Sequence, residues 1–336
     1  MKRILVVTVN WLGDALMATP VFRAIKDKIP SAYLAVMAPL RVQGVFQDNP
    51  YIDEVIVFDE KGEQKSLIAK LRFIRFLKKR NFDTVFLIHR SFTRALICCL
   101  AGMKTRIGYR RLKNYLVLTE MVSPESLPIH RQDYYLNLFE AQGIEINKKN
   151  PDFFIPPSVQ DELTLRLAPL RQNHSFIVGI NPSANWQPKR WPAANFSRLA
   201  DFLIKQYKAA VVFIGTEKEK KVIQEVISRM EGKAYDFSGT TNLKQLGALM
   251  TNSRIFISND SGPAHLAAGL GVLTIVLFGP TAKEVTGPRG EKVVVIQKDS
   301  VCPIPCYQVD CRDNRCLSSI TVEEVINLIK KRIEDV

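Results

Sequence analysis

The sequence predicts two doubly wound α/β domains in a single chain. Strand-like apolar runs alternate with helix-like segments along its whole length, the pattern of parallel strands joined by helical crossovers. A segment bearing Pro151, Pro156 and Pro157 interrupts the alternation, which then restarts. A length of 336 residues is generous for one domain and comfortable for two.

In the first half, strands are expected over 3–9, 33–38, 54–58 and 84–88, with helices over 18–28 and 65–80 between them. The stretch 65–80 is amphipathic: Leu67, Leu71, Ile74 and Leu77 share a face, and Arg75, Lys78 and Lys79 lie off it. The second half repeats the architecture with strands over 176–180, 210–214, 254–258 and 273–278. Its helices are expected over 193–207, 217–230, 243–251 and 322–333. The boundaries that follow are a first domain over 1–160, a linker over 161–175, a second domain over 176–316 and a terminal helix in 317–336.

A hydrophobic fraction of 46% and a charged fraction of 24% are those of an ordinary globular protein, which excludes a disordered or low-complexity chain. No apolar run reaches the ~18 residues of a membrane span. The start, Met1-Lys2-Arg3 before a short apolar run, is too brief for a signal peptide, so a cytoplasmic location is expected. The net charge of +14 points to an anionic partner: nucleic acid, anionic lipid or phosphorylated glycolipid. No nucleic-acid motif accompanies the charge, and the aromatics are not interleaved with the basic residues. A basic nucleic-acid-binding protein therefore stands only as an alternative of another class.

In open α/β sheets, ligands sit beyond the carboxyl ends of strands, so residues just after strands are the informative ones. Three such segments stand out. After the first strand comes Asn10-Trp11-Leu12-Gly13-Asp14. Gly13 allows a close approach, and Asp14, at a helix start, either caps that helix or projects as a general base; the residues alone favour the cap. After the strand at 176–180 comes a loop ending Trp186-Gln187-Pro188-Lys189-Arg190-Trp191-Pro192, with Ser183 near its start. Its adjacent cations suit a diphosphate, or belong to a surface loop anchored by tryptophans. After the strand at 254–258 comes Asn259-Asp260-Ser261-Gly262-Pro263-Ala264-His265. Ser261 and Gly262 would present backbone N–H groups to a phosphate at a helix N-terminus, and Asp260 and His265 could bond hydroxyls or phosphate. His265 is equally readable as a satisfied helix histidine. Neither a G-x-G-x-x-G fingerprint nor a Walker A loop is present.

These segments, with Phe278-Gly279-Pro280-Thr281, resemble the lipopolysaccharide heptosyltransferases of glycosyltransferase family nine, most nearly the heptosyltransferase II type. The resemblance runs nearly end to end. It implies a GT-B fold of two Rossmann-like domains facing a central cleft. It implies inverting transfer of heptose from ADP-L-glycero-D-manno-heptose to the heptosyl-Kdo-lipid A inner core, with no metal or other cofactor. The absence of a D-x-D pair agrees with metal independence. By the resemblance Asp14 is the general base and Lys189 stabilises the departing ADP. Gly13, Ser183, Arg190, Asp260, Ser261, Gly262 and His265 would bind the donor, Glu217 (with Glu219 competing) its ribose, and Thr241 would lie beside the adenine. Arg90, Ser91, Arg94, Arg106, Arg110 and His130 are the expected acceptor-binding set, and the enzyme is expected to touch the inner face of the membrane peripherally. Another family-nine transferase, of the heptosyltransferase I or III type or with a different donor sugar, and a sugar-nucleotide epimerase remain as alternatives.

Cys302, Cys306, Cys311 and Cys316 are bunched near the end. Packed thiols are the preferred reading, with a structural tetrahedral zinc as the alternative, since the usual C-x₂-C knuckle is missing.

Overall fold

In a computed structural model, residues 2–124, 129–298, 301–306 and 308–334 are described. The chain divides into two compact units, Met1–Phe154 and Ile155–Val336.

The described strands of the first unit are β1 (Arg3–Val7), β2 (Tyr33–Ala38), β3 (Glu54–Val57), β4 (Thr84–Leu87), β5 (Thr105–Tyr109) and β6 (Glu120–Val122). They form one parallel sheet in the order β3-β2-β1-β4-β5-β6. The second unit contains β7 (Ile177–Asn181), β8 (Ala210–Phe213), β9 (Tyr235–Asp236), β10 (Ile255–Asn259), β11 (Leu273–Phe278) and β12 (Val293–Gln297). These order as β12-β11-β10-β7-β8-β9, again all parallel. Numbered within their own units, both sheets read 3-2-1-4-5-6, the doubly wound order. Strand order therefore reverses between β1 and β4 in one unit and between β7 and β10 in the other.

Central strands are buried on both faces, as parallel sheets under helices require. Leu5, Val7, Val85 and Leu87 are core in the first unit, and Val178, Ile180, Ile255 and Ile257 in the second. The expected terminal helix, Val322–Glu334, belongs to the second core, into which it buries Val325 and Ile329.

Two expectations are corrected. The stretch read as a linker, 161–175, lies mostly within a helix, Pro157–Asn173, packed on helix Leu243–Thr251. Pro157 occupies the first turn, where its missing N–H costs nothing. Pro169 lies inside the helix but on an exposed side, so water can take the carbonyl it leaves without a partner. Helix Leu67–Lys79, capped by Ser66, buries Phe73 and Leu77 but leaves Leu67 and Leu71 exposed. The apolar stripe expected there is thus only half used by the core.

Candidate functional site

The first unit's site grows from β1 and β4, whose last residues Val7 and Leu87 are paired. Beyond β1 the chain enters the short helix Leu12–Met17, with Trp11 at its N-cap and no side chain capping it. Asp14 sits in the first turn of this helix, where the helix dipole favours a negative charge. Its carboxylate reaches helix Arg131–Glu140: Tyr135 Oη donates to Asp14 Oδ1 at 2.8 Å. Gly13 is buried beside it in the same turn.

Below this loop lies Arg94, only 4% exposed. It donates to the Thr8 carbonyl at 3.0 Å and to Asn10 Oδ1 at 2.8 Å. A guanidinium can only donate, so Asn10 turns its Nδ2 to His89 Nε2, 2.8 Å away. Burial, with Arg94 nearby, pushes the His89 pKa down to about 4, so the ring is neutral at neutral pH. Arg94 is therefore scaffold beneath the Asp14 loop, not an acceptor-facing cation.

Three other members of the expected acceptor set also have structural duties. Arg106, in β5, bonds the carbonyls of Val117, Met103 and Lys104. His130 is buried and caps helix Arg131–Glu140 by accepting from the Gln132 N–H at 3.2 Å. Ser91 caps helix Phe92–Leu100. Arg90 and Arg110 remain exposed beyond the carboxyl ends of β4 and β5. Arg90 lies over the Tyr134 ring at 4.4 Å and donates to its hydroxyl at 2.7 Å.

The second unit's site grows from β7 and β10, where Asn181 pairs with Ser258. Their loops are laced together. Asn259 Oδ1 accepts from the Trp191 N–H at 3.0 Å, and its Nδ2 donates to the Pro182 carbonyl at 2.8 Å. Trp191 is buried, and its Nε1 donates to the Ile320 carbonyl at 2.8 Å, so it pins the end of the loop that carries Lys189. Lys189 Nζ then meets Asp260 Oδ2 at 2.5 Å, and Thr281 Oγ1, following β11, donates to the same oxygen at 2.5 Å. With Asp260 only 7% exposed, this is a charge-assisted pair held in a fixed direction.

Beside it, helix Gly262–Gly269 begins at Ser261 with no side chain capping it. Ser261 Oγ instead pairs with Ser258 Oγ at 2.9 Å and accepts from Asn181 Nδ2 at 3.3 Å. Pro263 carries no N–H and the Ala264 N–H donates to the Ser261 carbonyl at 3.1 Å, so it is the Gly262 amide at the helix start that is left for an anion. Ser183 is fully buried; its N–H donates to Asn181 Oδ1, and its Oγ has no partner among the described residues. His265 is buried in the helix. Arg190 braces its own loop by donating from Nε to the Ala184 carbonyl at 2.9 Å.

After β8, the Glu219 carboxylate is consumed by a capping box, accepting from Thr216 N–H and Oγ1 at 2.7 and 2.8 Å. Glu217 is exposed and lies against Gly239, one residue before Thr240 and near the half-buried Thr241. Local chemistry thus separates two glutamates that the sequence left in competition. Tyr135 is the contact that sequence reasoning missed, and no local pattern in Arg131–Glu140 marks it.

The four clustered cysteines are free thiols. Burial, with Cys302 and Cys311 nearby, pushes the Cys316 thiol up. Among the described residues, no group of three or more His, Cys, Asp or Glu is placed to hold a metal ion.

The family model for glycosyltransferase family 9 (heptosyltransferase) matches residues 70–316. The chain is 26% identical over 306 residues to lipopolysaccharide heptosyltransferase 2 of Salmonella typhimurium, covering 88% of each. It is 25% identical over 332 residues to lipopolysaccharide heptosyltransferase 3 of Escherichia coli, covering 96% of each. Among solved structures, a family 9 glycosyltransferase from Veillonella parvula superposes with a TM-score of 0.90 at 24% identity, covering 100% of this chain and 98% of that one. The ADP-heptose lipopolysaccharide heptosyltransferase II of E. coli superposes with a TM-score of 0.83 at 24% identity, covering 100% of both chains. With its GT-B-type pair of Rossmann-like units, the chain is a glycosyltransferase and belongs to family 9, the heptosyltransferases.

Proposed function

We propose that the enzyme transfers L-glycero-D-manno-heptose from ADP-heptose to the heptosyl-Kdo-lipid A inner core of lipopolysaccharide, as a heptosyltransferase of the II type. The observation that carries the donor side is Lys189, fixed by Asp260 and Thr281 beside the uncapped start of helix Gly262–Gly269. An ammonium and the Gly262 amide at the positive end of a helix together match a diphosphate, and positive charge held in place ahead of reaction stabilises the charge that develops on the leaving group. In this reading Arg190, Ser183, Gly262 and His265 complete the donor site, and Glu217 takes the ribose hydroxyls beside Thr241. No metal is needed to neutralise the leaving diphosphate.

Asp14 is the base. The acceptor hydroxyl gives its proton to the carboxylate as its oxygen bonds to the anomeric carbon. The bond from that carbon to ADP breaks, and its electron pair leaves on the β-phosphate. Attack opposite the leaving group inverts the centre. An ordinary carboxylate, with a pKa near ~4, is a weak base, but it suffices when the proton moves late, after the hydroxyl has become acidic. Arg90 and Arg110 supply the cations for an anionic acceptor, and Gly13 allows the donor a close approach. The alternative is another family 9 transferase, of the heptosyltransferase I or III type or with a different donor sugar, and the chain's likeness to a heptosyltransferase 3 keeps that choice open to experiment.

The test offers ADP-heptose with Kdo-lipid A, with and without the first heptose, in the presence of EDTA, and follows ADP release and glycolipid mass. Transfer only to the heptose-bearing acceptor is expected. Transfer to the bare acceptor would assign the I type instead, and loss of activity in EDTA would overturn metal independence.

A lipid acceptor also calls for a way onto the bilayer. No described helix is long and apolar enough to cross a membrane. In the first unit, helix Leu67–Lys79 packs on helix Phe92–Leu100, which touches Leu112–Asn114. Along this run Leu67, Ile68, Leu100 and Tyr115 are exposed, and Leu112 and Leu116 are 90% and 92% exposed. Arg72, Arg75, Arg111 and Lys113 are exposed among them. Apolar side chains ringed by cations suit the anionic inner face of the cytoplasmic membrane. Flotation with phosphatidylglycerol vesicles should recover the protein, and Leu112→Asp with Leu116→Asp should release it. Equal binding to neutral vesicles, or no loss in the double variant, would reject this surface.

A further inference from the structure

We propose that Tyr135 is a positioning residue for the transfer reaction, its buried phenol fixing the carboxylate of Asp14. The proposal rests on the reading of Asp14 as base.

An aspartate carboxylate turns easily about its last bond, because that torsion has only broad wells. The 2.8 Å bond from Tyr135 Oη to Oδ1 removes this freedom. The donor is itself immobile. Tyr135 is 5% exposed, on helix Arg131–Glu140, which packs against β5 and against helices Leu12–Met17 and Pro20–Lys28. Its ring meets Tyr134 edge to face at 5.9 Å. Tyr134 stacks on Tyr109 at 4.0 Å, and the Tyr109 hydroxyl donates back to the Tyr134 carbonyl. Arg90 grips the outer face of the same pair. Two adjacent tyrosines thus connect an acceptor-side cation to the base.

The phenol can play only one part. Burial first, then the charge and hydrogen bond of Asp14, push its pKa far above the ordinary tyrosine value. It stays protonated at any working pH and donates throughout. A donated bond favours the ionised carboxylate, the form that can accept the acceptor's proton. Tyr135 keeps its own proton during transfer; only the acceptor hydroxyl's proton moves, to Asp14.

The test compares pH profiles of kcat/KM for wild type, Tyr135→Phe and Asp14→Asn with ADP-heptose and the glycolipid acceptor, alongside thermal melting. Tyr135→Phe keeps the ring and removes only the hydroxyl. Its kcat should fall about tenfold through lost orientation, and its acid limb should move up by about one pH unit because the carboxylate loses a donor. Donor KM should stay the same, because the donor-binding loops belong to the other unit. A fall in rate with the acid limb unmoved means a merely structural tyrosine and overturns the proposal, as does a profile superimposable on wild type. Full activity in Asp14→Asn would overturn the base reading and this proposal with it. An inactive Asp14→Asn beside an unmoved Tyr135→Phe profile overturns the role of Tyr135 alone. Should Tyr135→Phe not fold, 3-fluorotyrosine at position 135 keeps the shape and gives a more acidic donor. It should move the acid limb downward, and an unmoved limb would count against the proposal.

Discussion

Asp14→Asn is expected to lower kcat by about 10²–10⁴-fold while leaving the KM for ADP-heptose nearly unchanged. The amide matches the carboxylate in size, can still accept from Tyr135 Oη, and occupies the same first turn of helix Leu12–Met17. What it lacks is basicity. The loss therefore falls on the proton transfer and not on binding, and steady-state kinetics with saturating acceptor separates the two. The helix carries no side-chain cap in the wild type, so the substitution removes no such stabilisation. A melting temperature close to wild type, with activity nearly abolished, is the expected pair of results. Retained activity would return Asp14 to a purely structural role.

Lys189→Met should be comparably severe and of a different kind. Removing one fixed positive group from a developing anion costs on the order of 10²–10³ in kcat. Here there is a second penalty. Asp260 is largely buried and bonded through one oxygen to both Lys189 and Thr281. Without the ammonium, its charge is left beside an incoming diphosphate, and an unpaired buried charge is strongly unfavourable. Donor KM should rise along with the fall in kcat, unlike in Asp14→Asn. Adding Asp260→Asn to Lys189→Met removes the stranded charge and should recover part of the donor affinity but none of the lost leaving-group stabilisation. A donor KM unchanged in Lys189→Met would place the diphosphate elsewhere.

The central strands were legible because each carries its own signal. The β-branched and aliphatic runs of β1, β2, β4, β7, β8, β10 and β11 are long enough to read alone. The outer strands were harder. β5 contains Arg106 and Gly108, β6 is three residues long and β9 two, and pairing to a neighbour, not composition, makes them strands. Val293–Ile296 in β12 did carry a strand signal, one that could have identified it. The linker was misplaced because proline reads locally as a breaker, whereas position in the helix decides its effect.

The placement of Asp14, Lys189 and Asp260 just after strands was readable, since a turn following an apolar run identifies a carboxyl end. What each side chain touches was not. Arg94 and Arg90 are four residues apart and equally basic, yet one is buried under the Asp14 loop and the other is exposed. The contact between Tyr135 and Asp14 crosses 121 positions of sequence. No local pattern encodes a contact of that range.

The pairing of Lys189 with Asp260 has a consequence for selectivity. At rest the Lys189 cation already has a resident counter-ion in Asp260, so its charge is not presented bare to solution. A simple anion such as inorganic phosphate must compete with a carboxylate held at contact distance and has little else to offer. A nucleotide sugar brings a second phosphate for the helix N-terminus, a ribose and a base, and so can meet the cost of sharing the lysine. With the donor held at Lys189 as proposed, the enzyme would discriminate against abundant small anions because that cation is already occupied from within.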